Sequence, residues 1–215
     1  MRELIKEFIS LIAQSLPMKE PIYEFGSLQV PGQEGFADLR PLFPNKQYIG
    51  CDAEGGPGVD RILNLHSIAL SSESVGTVLC FDTLEHVEYP HVALREVERI
   101  LYPGGIAVIS SVMNHHIHNY PFDYWRFTPE GFKSLLKPFP NSFVGYGGDK
   151  HFPHTVVGIG FKGVQPNLES FIRMYEDWQK RGSRQRQNLI KGPIKDILKG
   201  FIPPVLIRMG RMLIS

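Results

Sequence analysis

Apolar residues recur along this chain at two periods, and the alternation between them lays out its elements. The pattern is sharpest from Ser74 to Val112. Val75, Val78, Leu79, Cys80 and Phe81 make a nearly continuous apolar run, as in a strand covered on both faces of a parallel sheet. After Pro90, a good first-turn residue, Val92, Val97, Ile100 and Leu101 interleave with Arg95, Glu96, Glu98 and Arg99, which gives one buried and one wet face at helical spacing. Pro103-Gly104-Gly105 is expected to stop that helix. Residues 106–112 then read as the next strand, set beside the first by the right-handed crossover rule.

The same reading extends to both sides. An amphipathic helix ends near Pro17, and residues 21–26 form the first core strand. A loop punctuated by Gly and Pro follows, with at most a short helix over Phe36 to Phe43. Residues 47–52 and 59–63 supply the second and third strands. Beyond a histidine-rich loop, residues 128–136 read as a helix capped by Thr128 with Pro129 at its first position. Strands around 142–146 and 155–162 suggest an antiparallel finish. The sum is an α/β, doubly wound, mostly parallel seven-stranded sheet with helices on both faces.

Residues 1–165 are expected to form the ligand-binding domain, and 166–215 a helical, basic and amphipathic extension. Leu168, Phe171, Ile172, Tyr175 and Trp178 share one face of a helix over 167–181. Lys191, Lys195, Lys199, Arg208 and Arg211 then alternate with apolar residues. That tail fits a peripheral membrane or partner contact, and equally a helix packed back on the domain or in a homodimer.

Composition narrows the function classes. A net charge of +1 argues against nucleic acid as partner, and 42% hydrophobic residues suffice for a real core. Cys51 and Cys80 fall inside expected strands, where buried thiols and a reducing compartment are the simpler reading. Glu3, Lys6 and Glu7 interrupt the first apolar stretch, unlike a signal peptide, and no apolar run reaches the roughly 18 residues a membrane span needs. The expected location is cytoplasmic or membrane-peripheral.

Sheets of this kind bind ligands at the carboxyl ends of their strands. Gly26 lets backbone and ligand approach closely there, and Glu24 can organise the loop or receive an ammonium group. Asp52 ends the second strand, where a carboxylate can accept from two ribose hydroxyls at once; a solvated turn aspartate is the plain alternative. Asn64 offers an amide oxygen and Leu65 a backbone amide after the third strand. Phe81 and Asp82 close the fourth, with Glu85 and His86 at the lip. An imidazole ordinarily titrates near neutrality, so His86 suits a general base or an orienting role. The loop from Met113 to Phe127 should roof the substrate pocket. His118 or His116 could take an acceptor proton, while His115, Tyr124, Trp125 and Arg126 suit a sugar or another polar ring. Trp125 as core and Arg126 paired with Asp123 are the structural alternatives. The HHxH spacing lacks an accompanying carboxylate cluster, so no metal is expected.

Glu24-Phe-Gly26, Asp52, Asn64-Leu65, Asp82-Thr-Leu-Glu-His86 and Leu101-Tyr-Pro-Gly-Gly105 together resemble, in order and spacing, the class I S-adenosylmethionine-dependent methyltransferases. The likeness is to the small methyltransferase-domain subgroup with LEHV and DYWRFTPEG segments, over about residues 20–162. It implies S-adenosylmethionine as cofactor, with Glu24, Gly26, Ser27, Asp52, Asn64, Leu65, Phe81 and Asp82 around it. It also implies methyl transfer, which the loop chemistry directs to a hydroxyl of a sugar or other small-molecule acceptor. The pattern departs at Leu28 and Val30, where further loop glycines would stand, with Gly32 displaced. A catalytically silent binding module of the same fold is therefore the alternative. A nicotinamide dehydrogenase ranks lower, because G-x-G-x-x-G and a Tyr-x-x-x-Lys pair are both missing.

Overall fold

Burial decides the order of the strands. In the computed structural model, which describes residues 2–32, 34–118 and 121–182, β1 (Ile22–Phe25) and β4 (Val75–Cys80) are buried at every position and lie side by side at the centre. β2 (Tyr48–Asp52) pairs with β1 on its other side, and the exposed two-residue β3 (Arg61–Ile62) forms the edge. β5 (Leu101–Val112) continues the parallel set beyond β4, and β7 (Pro153–Phe161) and β6 (Asn141–Gly148) close the sheet antiparallel. The order is β3-β2-β1-β4-β5-β7-β6. The order reverses between β1 and β4, so the crevice for a ligand opens where Phe25 and Cys80 pair at the strand ends.

Both faces are covered by helices, as the hydrophobic periodicity implies. α2 (Pro90–Ile100) and α3 (Pro129–Leu135) pack on one face through Ala93, Leu94, Val97, Ile100 and Phe132. Thr128 caps α3, its Oγ1 accepting from Gly131 N at 3.0 Å. On the other face α1 (Glu3–Ser15) packs with α4, helical over residues 169–182. Among the described residues only α2 fills a crossover between parallel strands. The long β1–β2 connection holds a 3₁₀ turn at Arg40–Leu42, inside the span where the sequence suggests a short helix.

Two expectations need correction. β5 begins at Leu101, directly after α2, because Leu101 already pairs with Val75. Pro103-Gly104-Gly105 forms an irregularity inside the strand, with Gly104 at φ 81°, and the register resumes at Thr77 with Ile106. The third strand is shorter than 59–63.

α4 is part of the core. Phe171 and Trp178 are wholly buried; Trp178 Nε1 donates to Leu4 O at 2.8 Å, and the Tyr175 hydroxyl accepts from Tyr146 N at 2.9 Å. Gly145 and Gly147 of β6 make that approach possible, since a Cβ at either would run into Tyr175 or Trp178. The expected membrane or dimer contacts of 183–215 lie outside the described residues. Among the described residues no helix is long and apolar enough to cross a membrane. Cys51 and Cys80 are free and buried.

Candidate functional site

The crevice is assembled from strand ends. Gly26 leaves β1 at φ 88°, and a Cβ there would lie on the Thr83 hydroxyl. The glycine thus lets the β1 and β4 ends close on each other. Next to it, Ser27 is 6% exposed and its hydroxyl has no hydrogen-bond partner among the described residues. Asp52 accepts from Leu28 N and Glu54 N, both at 3.2 Å, so it holds the loop beside Ser27. Each of those bonds uses one lone pair, and a carboxylate offers about four. Asn64 is exposed, its Oδ1 accepting from His66 N at 2.8 Å in a tight turn. The Leu65 side chain belongs to the core, and Phe81 is buried beneath the crevice.

Glu24 points into the opposite face, 5% exposed, where Tyr48 Oη donates to it at 2.8 Å. Its hydrogen bond goes to Tyr48 of β2 and not to the loop. The loop above it is pinned by Arg40, which bridges Asp38, Asp60 and Gly58 O while Asp60 accepts from Gly50 N. Neither Arg40 nor Asp60 stands out in the sequence, because their partners come from separate loops.

Asp82 carries the next part of the site. It adopts φ 46°, a left-handed conformation that costs a non-glycine residue about 1–2 kcal/mol. It persists because Ser110 Oγ donates to Asp82 Oδ1 at 3.0 Å and Arg2 straddles the carboxylate, Nη2 to Oδ1 at 2.8 Å and Nε to Oδ2 at 3.2 Å. Arg2 Nη2 also donates to Thr155 Oγ1 at 2.9 Å. The residue before α1 thereby places a cation at the ends of β4, β5 and β7. No local motif signals it.

At the lip, Glu85 is completely buried. Ser111 Oγ donates to its Oε2 at 2.6 Å, while Oε1 lacks a partner among the described residues. Burial, helped by the Asp82 charge, pushes the Glu85 carboxyl up to about 7. His86 Nδ1 lies 2.6 Å from Phe122 O. A carbonyl only accepts, so Nδ1 carries a proton, and in the neutral ring Nε2 bears the lone pair. His118 repeats the arrangement, with Nδ1 3.2 Å from His116 O and 3.3 Å from Asp123 Oδ2. The two rings meet edge on at 4.7 Å.

The roof loop leaves β5 and returns to it, Phe127 N donating to Val112 O at 3.0 Å. Asp123 and Arg126 hold it together. All five Arg126 N–H groups are engaged inside the loop, on His115 O, His116 O, Trp125 O and both Asp123 oxygens. Arg126 therefore shapes the roof and has no donor left for a substrate, which corrects the sequence expectation. The pairing drives the Asp123 carboxyl far below its usual range. Trp125 is 43% exposed, not core; its Nε1 donates to Val87 O at 3.0 Å, which fixes an accessible ring. Tyr124 is 42% exposed beside it. His116 is exposed, and His115, 4.3 Å from it, is kept neutral to lower pH first by burial and then by its neighbours.

Glu24 and Glu85 give stability an unusual pH dependence. Burial raises both from 4.5 to about 7, so between these values the folded chain holds protons the unfolded chain has released. Each carboxyl therefore lowers stability as the pH rises from about 4.5 to about 7, by at most about 1.4 kcal/mol per unit. His115 acts oppositely near its own range, so the comparison that isolates Glu24 is wild type against Glu24→Gln. Urea unfolding at about pH 5 and pH 7.5 should show the variant losing clearly less stability on the way up; parallel losses would contradict the buried, protonated Glu24.

A family model described as a methyltransferase domain matches residues 46–109, the span from just before β2 into β5. No curated protein matches the sequence. Among solved structures, a SAM-dependent methyltransferase from Archaeoglobus fulgidus superposes with a TM-score of 0.58 at 14% identity, over 75% of this chain and 95% of that one. A SAM-dependent methyltransferase from Thermotoga maritima gives 0.54 at 20% identity, over 74% and 89%. A structure of the Haloferax volcanii Trm112 methyltransferase activator in complex with a methyltransferase gives 0.55 at 14%, over 75% and 90%. The likeness to class I methyltransferases thus holds in the domain match and in the fold, and the cofactor they imply is S-adenosylmethionine.

Proposed function

We propose that this chain transfers a methyl group from S-adenosylmethionine to a hydroxyl of a sugar or another small metabolite. What carries the reading is the meeting of Gly26, the unpartnered Ser27 hydroxyl, Asp52 and Asp82 at one end of the sheet. These residues fit the cofactor. Asp52 retains acceptors for ribose hydroxyls, and Asn64 retains an amide group for adenine. The bound cofactor supplies an electrophilic methyl on a sulfonium.

The chain's own part is placement and proton handling. Direct displacement needs donor and acceptor held in line. Trp125, anchored through its indole N–H, and Tyr124 present accessible aromatic surface against which a sugar face can pack. His86 and His118, their Nδ1 atoms held by carbonyls, leave Nε2 of the neutral ring to take the proton of an alcohol acceptor at the same lip. A cytoplasmic location belongs to the proposal, supported by two free buried thiols.

Calorimetric titration with S-adenosylmethionine and S-adenosylhomocysteine tests the reading. Micromolar binding is expected, and Asp52→Ala should weaken it ten- to hundredfold, about 1.5–3 kcal/mol for charge-assisted hydrogen bonds lost. Asp52→Asn, which keeps one acceptor on Leu28 N, should fall between. A panel of sugars and small alcohols is then screened for S-adenosylhomocysteine release. No binding of either ligand removes the proposal, and tight binding without turnover on any acceptor leaves the silent module.

A further inference from the structure

We infer that Glu85, His86 and His118 form a binding site for a transition-metal dication, zinc before others. One carboxylate oxygen of Glu85 and one ring nitrogen of each histidine lie within 4.8 Å of one another. Ligands around a tetrahedral zinc at about 2.1 Å stand about 3.4 Å apart, so the side chains need close by little more than an ångström. Two imidazoles with one carboxylate suit zinc and its first-row neighbours better than magnesium or calcium, which prefer oxygen throughout.

Proximity alone would not make a site, but each group is also prepared for a cation. Glu85 Oε1 is buried without a partner among the described residues while Oε2 is fixed by Ser111, so one lone-pair-bearing oxygen is left unsatisfied. Both histidines are held at Nδ1 by pure acceptors, Phe122 O for one and His116 O with Asp123 for the other. That fixes the tautomer and orients Nε2 as the ligand atom, the task outer-shell carbonyls and carboxylates perform at metal sites. The local charge agrees. Arg2 is paired with Asp82 and Arg126 with Asp123, which leaves Glu85 as the uncompensated group.

Three protein ligands leave a coordination position open, as catalytic zinc sites do. An acceptor hydroxyl entering there would be acidified by the cation and would release its proton to solvent, with the histidines serving as ligands rather than as bases. That use rests on the methyl-transfer reading, whereas metal binding does not.

Metal-stripped full-length protein is titrated with ZnCl2 by calorimetry, and with CoCl2 by visible absorption, without cofactor. One zinc per chain at micromolar affinity or tighter is expected. His118→Ala should weaken binding at least tenfold and change the cobalt spectrum; its partly exposed ring makes it the variant least prone to unfold, and circular dichroism checks that. Glu85→Gln and His86→Ala should weaken binding similarly, and His91→Ala, on the exposed side of α2, should not. Absence of a stoichiometric site overturns the inference. So does binding that survives His118→Ala and Glu85→Gln but is lost in His115→Ala or His116→Ala. Because cofactor titration is separate, zinc binding without cofactor binding would remove the methyl-transfer reading and leave the metal site.

Discussion

Gly26→Ala is expected to destabilise the protein by about 2–5 kcal/mol and to abolish cofactor binding in what still folds. Two costs combine. At φ 88° an L side chain is strained by about 1–2 kcal/mol, and the new Cβ would occupy the position of the Thr83 hydroxyl. The second cost can be removed separately. In Gly26→Ala/Thr83→Ala the hydroxyl and methyl of residue 83 are gone, so that double variant should recover the overpacking share, about 1–3 kcal/mol, but not the backbone strain. Urea denaturation of the four proteins in the cycle measures the coupling. An additive cycle would mean that the β1 and β4 ends are not wedged together at the mouth of the crevice.

Trp178→Ala should cost about 3–5 kcal/mol, and removal of residues 166–215 should leave a chain that does not fold cooperatively. Trp178 is wholly buried, lies 5.0 Å from the Phe8 ring and 5.7 Å from Tyr175, and donates to the first turn of α1. In a domain of this size such a loss lowers Tm by about 10 °C. Trp178→Phe keeps most of the aromatic contact and should lose about 1 kcal/mol, the worth of a hydrogen bond. A Tm within about 2 °C of wild type for Trp178→Ala, or a truncated chain with a sharp thermal transition, would place the boundary near 165 after all.

Where local pattern determines structure, the sequence is readable. Continuous burial marks β4, helical spacing marks α2 and the buried face of α4, and Thr128 announces the α3 cap. Each signal lies within one element. Gly26, Asp52 and Asp82 are readable as residues at strand ends, and the parallel order β2-β1-β4 brings them to one edge of the sheet.

What escapes the sequence is long-range or depends on orientation. Arg2 and Asp82 are 80 positions apart, and nothing near Arg2 announces its partner. Arg126 shows the other difficulty. Its residue type and aromatic neighbours suit a substrate contact, yet only its five bonds reveal that the loop consumes every donor. The proposed metal cluster is hidden for a related reason. The HHxH run holds one of its three ligands, while the carboxylate and the other histidine come from the turn after β4. Likewise Pro103-Gly104-Gly105 has the composition of a breaker, but pairing of Leu101 with Val75 carries the strand through it.

The bond from Trp178 to Leu4 spans 174 positions and sets the order in which this protein can complete itself during synthesis. α1 emerges first, yet its apolar face packs with β5, β7 and α4, all made much later. At about 5–20 residues per second the ribosome needs roughly 9–35 s between Leu4 and Trp178. Through that interval Phe8, Ile9 and Ile12 lack the part of their cover that α4 supplies, so α1 is the segment on which a chaperone would find its longest opportunity.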